Sequence, residues 1–414
     1  MLSIRKSVAG LAVVALALPA VAGVATAKPD RKRDHRKDVR FATFNASLNR
    51  NSEGQLIQDL STPNNAQART VAEIIQRTRP DVVLINEFDF DAGRVALRLF
   101  QDNYLSVKQN GARAIGYRYA YTAPSNTGIP SGFDLNNDGS VGGPDDAFGF
   151  GFFPGQFGMA LYSRYPIDLE GIRTFQEFLW ADLPGAHLPD DPNTPAPNDW
   201  FSPEELEIVR LSSKSHWDVP IEIGKRTVHV LAAHPTPPVF DGPEDRNGLR
   251  NFDEIGFWAD YVSPRRGRHI YDDEGTKGGL KRGAPFVIMG DYNSDPNDGD
   301  SVPGAIQQIL DLAHLRTKIT PSSRGGPQQA ELQGGINETH ISDPAFDTAD
   351  FADTAPGNLR VDYVLPSRPL KLTAAKVFWP LQDDPLFRLV GVFPFPSSDH
   401  RLVWADVKVP GGRR

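Results

Sequence analysis

The chain has 414 residues, of which 39% are hydrophobic, so it can bury a large core. It contains no cysteine, which excludes a disulfide framework and leaves packing and bound ions to stabilise the fold. The net charge of −8 argues against a protein that grips nucleic acid across a wide basic face, although a narrow groove contacting a few phosphates stays compatible with it.

The N-terminus has the pattern of an export signal. Two basic residues precede an apolar run at 11–24, and Ala25-Thr26-Ala27 offers the small side chains that a signal peptidase recognises. The apolar run is shorter than the roughly 20 residues that span a bilayer. We therefore expect a signal peptide at 1–27, a secreted protein that is extracellular or periplasmic, and no transmembrane segment.

Charged residues dominate 28–38, which we expect to be a disordered leader. Beyond it, strand-length apolar runs and segments of helical periodicity alternate along the chain. In chain order they predict a strand at 39–44, a helix at 67–77, a strand at 82–85, a helix at 92–100, strands at 157–162 and 227–233, a helix at 248–262, and strands at 285–289, 360–365 and 401–408. This intermixing, without a repeat or a linker, predicts one α/β domain at 39–410 with more than one sheet layer.

Three polar segments interrupt the predicted elements and are expected to be loop insertions. They cover about 122–156, 181–204 and 318–358. Loops of this length are usually functional or disordered.

Several predicted strands end in a side chain that can bind a metal or move a proton. The clearest is 286–293, where a buried strand runs through Gly290 into Asp291 and Asn293. Side chains two positions apart on a strand point the same way, so this carboxylate and carboxamide could activate and orient a water. The other polar strand ends are Asn45, Glu87, His234, Asp362, Asp399 and His400.

Each of these strand ends also has an ordinary structural explanation, as a turn or a core histidine. Glu87 is a natural ligand for a hard cation. Asp362 lies on an apolar strand and needs a partner, because an unpaired buried charge is costly, and a histidine is the obvious candidate. So many strand ends of this kind in one chain favour an active site.

The order of these residues resembles the endonuclease/exonuclease/phosphatase superfamily over about residues 39–408. The resemblance depends on Asn45, Glu87, His234, Gly290-Asp291-Tyr292-Asn293, Asp362-Tyr363 and Ser398-Asp399-His400. It implies a four-layer α/β sandwich of the deoxyribonuclease I type, with two mixed sheets packed face to face and helices outside. The active site would lie at one edge of the sheets.

The resemblance also implies roles for the residues. Asn45, Glu87 and Asp399 would hold a catalytic Mg²⁺ or Mn²⁺ ion. Asp291 and Asn293 would activate and orient the attacking water. The remaining roles, stabilising the phosphate charge or protonating the leaving oxygen, would fall to His234 and to His400 paired with Asp362.

This sequence departs from the family pattern at two places. Some relatives carry an aspartate two residues after the first asparagine, where this chain has Ser47, so one possible metal ligand is missing. Several relatives contact the phosphate with an arginine or tyrosine on a middle strand. The corresponding stretch here offers Lys214 and His216 as candidate substrate-binding residues.

The first insertion contains a second candidate metal site. Residues 134–145 fit the twelve-residue calcium loop, with a glycine at the sixth position for the turn. The expected Ca²⁺ ligands are Asp134, Asn136, Asp138, the Ser140 carbonyl and Asp145. A polar turn without an ion is the alternative, since no EF-hand helices flank the loop.

Together these features predict a secreted, metal-dependent phosphoester hydrolase, either a nuclease or a phosphatase, that acts as a monomer without a stable protein partner. One alternative is a lipid phosphodiesterase of the sphingomyelinase type, whose apolar rim could come from Phe148, Phe150, Phe152, Phe153 and Phe157 unless these residues belong to the core. Another is a catalytically silent, calcium-bound surface binding module.

Overall fold

The computed structural model describes residues 38–197, 199–316 and 318–411. The predicted signal peptide at 1–27 and the leader up to residue 37 lie outside this range, so both stay predictions. Within the described part, no helix is both long enough and apolar enough to cross a membrane.

Strands and helices alternate along the described chain. The strands are β1 Val39–Leu48, β2 Val82–Phe88, β3 Tyr119–Tyr121, β4 Met159–Ser163, β5 Arg173–Thr174, β6 Trp217–Ile223, β7 Arg226–Ala233, β8 Phe286–Asp291, β9 Ala349–Asp350, β10 Asn358–Leu359, β11 Asp362–Pro366, β12 Lys371–Val377 and β13 Val403–Lys408. The helices are α1 Gln55–Leu60, α2 Ala66–Thr78, α3 Val95–Phe100, α4 Pro203–Leu206, α5 Arg246–Tyr261, α6 Gln307–Leu310 and α7 Gly325–Gln333.

Two mixed sheets contain most of these strands. The larger sheet has the order β12-β13-β1-β2-β4-β3, and the smaller one has the order β11-β8-β7-β6-β5. The pairs β1–β2 and β7–β8 are parallel, whereas the other neighbours within these two sheets are antiparallel. The short strands β9 and β10 form a separate pair.

Side-chain alternation along the strands builds the layers. Leu84 of β2 and Val230 of β7 belong to the core between the two sheets. The next residue on each strand turns to the opposite face. Ile85 packs in the cluster that contains α2, and Leu231 packs in the cluster that contains α5. This confirms the four-layer α/β sandwich that the resemblance implied.

Strand direction collects the candidate catalytic residues at one edge of the sandwich. Because β1 and β2 are parallel, their carboxyl ends meet at the same edge of one sheet, and β7 and β8 do the same in the other. The strands β11 and β13 run antiparallel to β8 and β1, so they begin where those strands end. The first residue of β11, Asp362, pairs directly with Asp291.

The structure adds elements that the sequence pattern did not predict. Strand β6 contains Pro220, which is atypical of a strand inside a sheet. Strand β12 lies at a sheet edge and is mostly half-buried, so its apolar pattern is weak. The insertion at 318–358 was predicted as loop, but it contains α7, whose sequence Gly-Gly-Pro-Gln-Gln has no apolar period. By contrast, 122–156 contains no helix or strand.

The third insertion also buries a carboxyl group among other carboxyl groups. Asp347 is 3% exposed. Burial raises its pKa, and the neighbouring Asp295, Asp298 and Asp343 raise it further, to about 9. Because an unfolded aspartate titrates near pH 4, the folded protein binds this proton more tightly. Stability is therefore lost as the pH rises from about 4 to about 9.

We expect Asp347→Asn to raise the melting temperature at pH 8, because the amide cannot ionise. The gain should shrink towards pH 4, where the wild-type carboxyl is protonated in both the folded and the unfolded states. Melting curves between pH 4 and 9 measure this, with the exposed Asp353→Asn as the matched control. A gain that does not change with pH would contradict the assignment.

Candidate active site

The glycine before Asp291 brings two strands unusually close. Gly290 has φ 152°, and a Cβ atom there would lie 2.0 Å from the carbonyl oxygen of Ala233 on β7. Only glycine avoids this clash, so Asp291 can lie beside His234, which follows β7. After Asp291 the chain turns at Asn293, whose backbone N–H donates to Asp291 Oδ1 at 2.9 Å.

Asp291 is the centre of a cluster that joins the two sheets. Its Oδ2 accepts a hydrogen bond of 3.0 Å from Asn45 Nδ2, which also donates to Glu87 Oε1 at 3.0 Å. His234 Nε2 lies 3.4 Å from the same oxygen. His400 Nε2 lies 3.7 Å from it. The cluster therefore unites residues that are up to 355 positions apart in the sequence.

The Ser398-Asp399-His400 turn completes the cluster. His400 Nδ1 lies 2.9 Å from Asp362 Oδ2, so the aspartate predicted to need a partner has the predicted histidine. Asp399 Oδ1 lies 3.5 Å from Ser47 Oγ, at the position where some relatives carry an aspartate. A neutral hydroxyl thus replaces a possible third carboxylate near the predicted metal ligands.

A single cavity of about 950 Å³ opens onto this cluster. The catalytic candidates that line it are Glu87, His234, Asp291, Asn293, Asp399 and His400. The fold therefore brings the predicted site residues together at one edge of the sheets. Asn45 and Asp362 are not among the cavity-lining residues and lie buried behind them.

The family follows from the sequence match over most of the chain. The model of the Endonuclease/Exonuclease/phosphatase family matches residues 42–400. The chain belongs to this family. Members of the endonuclease/exonuclease/phosphatase family are hydrolases that act on phosphoester bonds.

The solved structures that match this chain have low sequence identity to it. An endonuclease/exonuclease/phosphatase from Beutenbergia cavernae DSM 12333 has 18% identity and a TM-score of 0.47, covering 90% of this chain and 72% of that one. Beta toxin from Staphylococcus aureus has 17% identity, a TM-score of 0.42 and coverages of 89% and 99%. An AP endonuclease from Archaeoglobus fulgidus has 12% identity, a TM-score of 0.41 and coverages of 89% and 98%. The search of curated proteins found no match.

The histidine between two carboxylates carries a positive charge. Burial alone would lower the pKa of His400, but Asp362 and Asp291 raise it well above its usual value. Burial would likewise raise the pKa of Asp291, yet His400 and His234 keep it below the usual range. For Asp362, burial dominates and raises the pKa to about 6. At neutral pH this family member therefore holds an imidazolium between two ionised carboxylates.

His234 has the opposite character. Burial and the nearby cation of Lys214 lower its pKa to about 4, so the ring is neutral at pH 7. Its Nε2 faces Asp291, and within the described chain its buried Nδ1 has no hydrogen-bond partner. A neutral ring can donate from Nε2 to Asp291 while the buried Nδ1 stays unprotonated.

Glu87 and Asp399 are the best candidates to hold a divalent cation. Burial raises the pKa of Glu87, and the negative charges of Asp399 and Asp291 raise it further. A cation bound by oxygen ligands would relieve this repulsion. Asn45, the third predicted ligand, donates its amide to Glu87 and Asp291, so it would have to turn its carboxamide to offer Oδ1.

A second group could also hold a metal ion by its geometry. Asp291, Asp362 and His400 each offer a ligand atom, and these atoms lie within 4.8 Å of one another. However, both nitrogens of His400 face carboxylates, and a histidine must be neutral to bind a metal. The raised pKa of His400 therefore favours a proton over a metal at this position.

The two candidate substrate-binding residues lie in different environments. Lys214 lines the cavity and is buried, and burial lowers its pKa although Glu254, Glu87 and Asp291 oppose this effect. His216 instead lies in the core, where its Nδ1 contacts Ser212 Oγ, its Nε2 contacts the Glu254 carbonyl and its ring packs on aromatic residues. His216 is therefore buried in the core and is not among the residues that line the cavity.

The predicted calcium loop is a compact turn. Asp134 accepts hydrogen bonds from the backbone N–H groups of Asp138 and Gly139, and Asn136 also accepts one from Asp138. In the described loop, Asp146 rather than Asp145 contacts the backbone, whereas Asp145 lies at the cavity. The backbone N–H of Ser140 donates a hydrogen bond to Asp138 Oδ1. Ca²⁺ binding by this loop stays a prediction.

Glu254 of α5 is a positioning residue that the sequence analysis missed. Its side chain is fully buried. Oε1 accepts from Ser213 N at 2.7 Å and Oε2 accepts from Thr236 N at 2.6 Å. One carboxylate therefore holds the segments that carry Lys214 and His234. The sequence signal that points to Glu254 is its position as a charged residue on the apolar face of a predicted helix.

Arg401 holds the Ser398-Asp399-His400 turn from behind. Its guanidinium is fully buried and donates to the carbonyl oxygens of Ser398 at 2.8 Å and His400 at 3.3 Å. It also pairs with Asp350 at 2.7 Å, and the backbone N–H of Asp350 donates to the Asp399 carbonyl. The sequence analysis missed this pair, because its two members are 51 residues apart.

We expect Arg401→Leu to lower the free energy of unfolding by about 3–5 kcal/mol, because Asp350 is left buried and unpaired. The double variant Arg401→Leu/Asp350→Leu should recover much of this stability. Hydrolysis should stay about 10–100-fold reduced in both variants, because the turn loses its donors. Thermal melting and turnover of p-nitrophenyl phosphate esters measure the two effects.

Arg388→Leu is the matched control, since Arg388 pairs with the buried Glu73 and has no hydrogen bond to the Ser398-Asp399-His400 turn among the described contacts. It should affect stability but not turnover in the folded protein. If the double variant recovered activity together with stability, Arg401 would be only a structural residue.

Proposed function

We propose that this chain is a divalent-metal-dependent phosphoester hydrolase that directs an activated water at the phosphorus. One observation carries the proposal: the ends of strands from both sheets bring carboxylates and two histidines together beside one cavity. In this arrangement, groups that bind a cation and a water adjoin groups that stabilise negative charge.

Glu87 and Asp399 would hold Mg²⁺ or Mn²⁺, with Asn45 as a third ligand after its carboxamide turns. The cation would supply positive charge to the phosphate oxygens as negative charge develops there. The protein residues do the rest. Asp291, whose pKa lies below the usual range, stays ionised and accepts the proton of the water that Asn293 helps to orient.

The histidines have complementary parts in this proposal. His400 is charged, so it can donate a hydrogen bond to a phosphate oxygen or a proton to the leaving oxygen, and Asp362 orients it. The ring of His234 is neutral, and its Nε2 lies where it can donate to Asp291 and keep that carboxylate in position. Lys214 is a buried cation at the cavity and could contact the phosphate.

A lipid phosphodiesterase is the second candidate. Phe150 and Phe152 are 49% and 67% exposed, and Phe240 on a neighbouring loop is 86% exposed. Of these, Phe150 and Phe240 line the cavity. Exposed aromatic residues beside an active site favour contact with a lipid surface. By contrast, Phe153 is buried, so the predicted aromatic rim belongs partly to the interior. A catalytically silent binding module is less compatible with the contacts around Asp291.

We expect Asp291→Asn to keep the fold and reduce hydrolysis by about 10²–10⁴-fold, because it removes the proton acceptor with little change in volume. Turnover of p-nitrophenyl phosphate, its diester, plasmid DNA and sphingomyelin vesicles with Mg²⁺ measures the effect. The exposed Asp102→Asn is the matched control and should be fully active. Near-normal turnover by Asp291→Asn on the preferred substrate would remove Asp291 from the mechanism.

Glu87→Gln tests the metal assignment separately. It should weaken the Mg²⁺ dependence, so that saturation needs at least about tenfold more metal, because one carboxylate ligand is lost. Calorimetric titration of the protein with Mn²⁺ checks the same change without a substrate. Unchanged metal affinity would move the metal site away from Glu87.

We also propose that Asp134, Asn136, Asp138, the Ser140 carbonyl and Asp145 bind a structural Ca²⁺ ion. The segment at 122–156 contains no strand or helix, so a bound ion would add ordering energy. A ligand that binds only the folded state stabilises it by about 2.7 kcal/mol at 100 times its Kd. The melting temperature should therefore rise with Ca²⁺.

Asp134→Ala/Asp138→Ala should abolish this rise, and it should leave Mg²⁺-dependent hydrolysis in place. Melting curves of both proteins in EDTA and in millimolar Ca²⁺ provide the comparison. If the unaltered protein melts at the same temperature in both buffers, the loop is only a turn.

A further inference from the structure

The cavity extends from the catalytic cluster into a region that we call the apolar lobe. Its walls are Leu135 and Ala147 from the first insertion and Trp180, Phe201 and Val209 from the segment around the second. These five side chains are buried, with exposures between 1% and 7%. The lobe and the catalytic residues line the same cavity, so one ligand can reach both.

The polar atoms of the lobe are already engaged. Trp180 donates its indole N–H to Asp253 at 2.7 Å, so the ring offers carbon atoms to the cavity. Arg246 pairs with Glu244. Arg250 donates to three backbone carbonyl oxygens. Arg246 is therefore paired with a carboxylate, and three hydrogen bonds to backbone oxygens hold Arg250 in place.

Arg250 also explains how the lobe keeps its shape. Its guanidinium donates to the carbonyl oxygens of Phe148, Arg210 and Leu211. It thereby ties the first insertion to α5 and to the segment that contains Val209. A pocket whose walls are held in this way exists before the substrate binds, which favours tight and selective binding.

We propose that the substrate carries an uncharged, compact apolar substituent on its phosphate, and that the apolar lobe binds this substituent. This inference rests on the phosphoester hydrolysis proposed above and names the class of substrate. A nucleic acid chain would require several free cations or stacking surfaces along its path. The lobe instead offers buried hydrocarbon next to the site of phosphate chemistry, and apolar groups leave water favourably for such a surface.

A series of p-nitrophenyl alkyl phosphates tests the inference, with the alkyl group lengthened from methyl to hexyl. Every member releases p-nitrophenolate, so only the apolar substituent changes. We expect kcat/KM to rise about fourfold per methylene until the lobe is full. A parallel series of alkyl phosphates, followed by phosphate release, covers an enzyme that acts only on monoesters. All assays contain Mg²⁺, and each ester is measured at concentrations below and above its critical micelle concentration.

The outcomes separate the two proposals. Hydrolysis of every member at the same kcat/KM would overturn the apolar lobe as a binding site and leave the hydrolase proposal standing. No Mg²⁺-dependent hydrolysis of any ester would overturn both. A preference that appears only above the critical micelle concentration would assign the selectivity to a lipid surface and would also overturn the inference.

Val209→Phe fills the lobe and should reduce the gain per methylene to less than about twofold. Val392→Phe is the matched control, because Val392 is 52% exposed and lies outside the cavity lining. It should keep the full gain. If Val209→Phe fails to fold, inhibition of the unaltered protein by alkylphosphonates gives the same measurement, and a Ki that does not fall with chain length would contradict the inference.

Discussion

The structure depends on one ionised carboxylate at the meeting point of two sheets. Asp291 ends a strand of the smaller sheet, and its Oδ2 accepts a hydrogen bond from Asn45 of the larger sheet. The same oxygen faces His234 and His400. Because a buried charge is costly without partners, each of these contacts both stabilises Asp291 and places a candidate catalytic group beside it.

This arrangement buries several ionisable side chains at positions where apolar side chains would stabilise the fold more. Four ionisable residues lie together at the edge of the sandwich: Glu87, Asp291, Asp362 and His400. Burying a charge among them is unfavourable, and the pKa of Glu87 is raised for this reason. With no cysteine in the chain, the three apolar clusters of the sandwich must offset that cost. Proteins commonly give up local stability at functional sites in this way.

The insertions and the strands contribute different features to the cavity. The strand ends carry the candidate catalytic residues, whereas the first two insertions contribute walls of the cavity beside them. Positioning residues join the two parts, because Glu254 and Arg250 lie one turn apart on α5 and contact the catalytic segments and the first insertion respectively. Selectivity can therefore change with the insertions while the catalytic cluster stays the same.

Local patterns in the sequence determined the long buried strands, the helices α2 and α5 and the identity of the catalytic candidates, since apolar periodicity and polar strand ends are visible without the fold. Only the tertiary structure decided that His216 is a core residue, that Asn45 donates between two carboxylates, and that Arg401 and Asp350 support the catalytic turn. It also decided that 318–358 contains a helix and that two insertions enclose an apolar lobe. The physical reason is that these features depend on contacts between distant segments, and the direction of a side chain across such a contact leaves no periodic signal in the sequence.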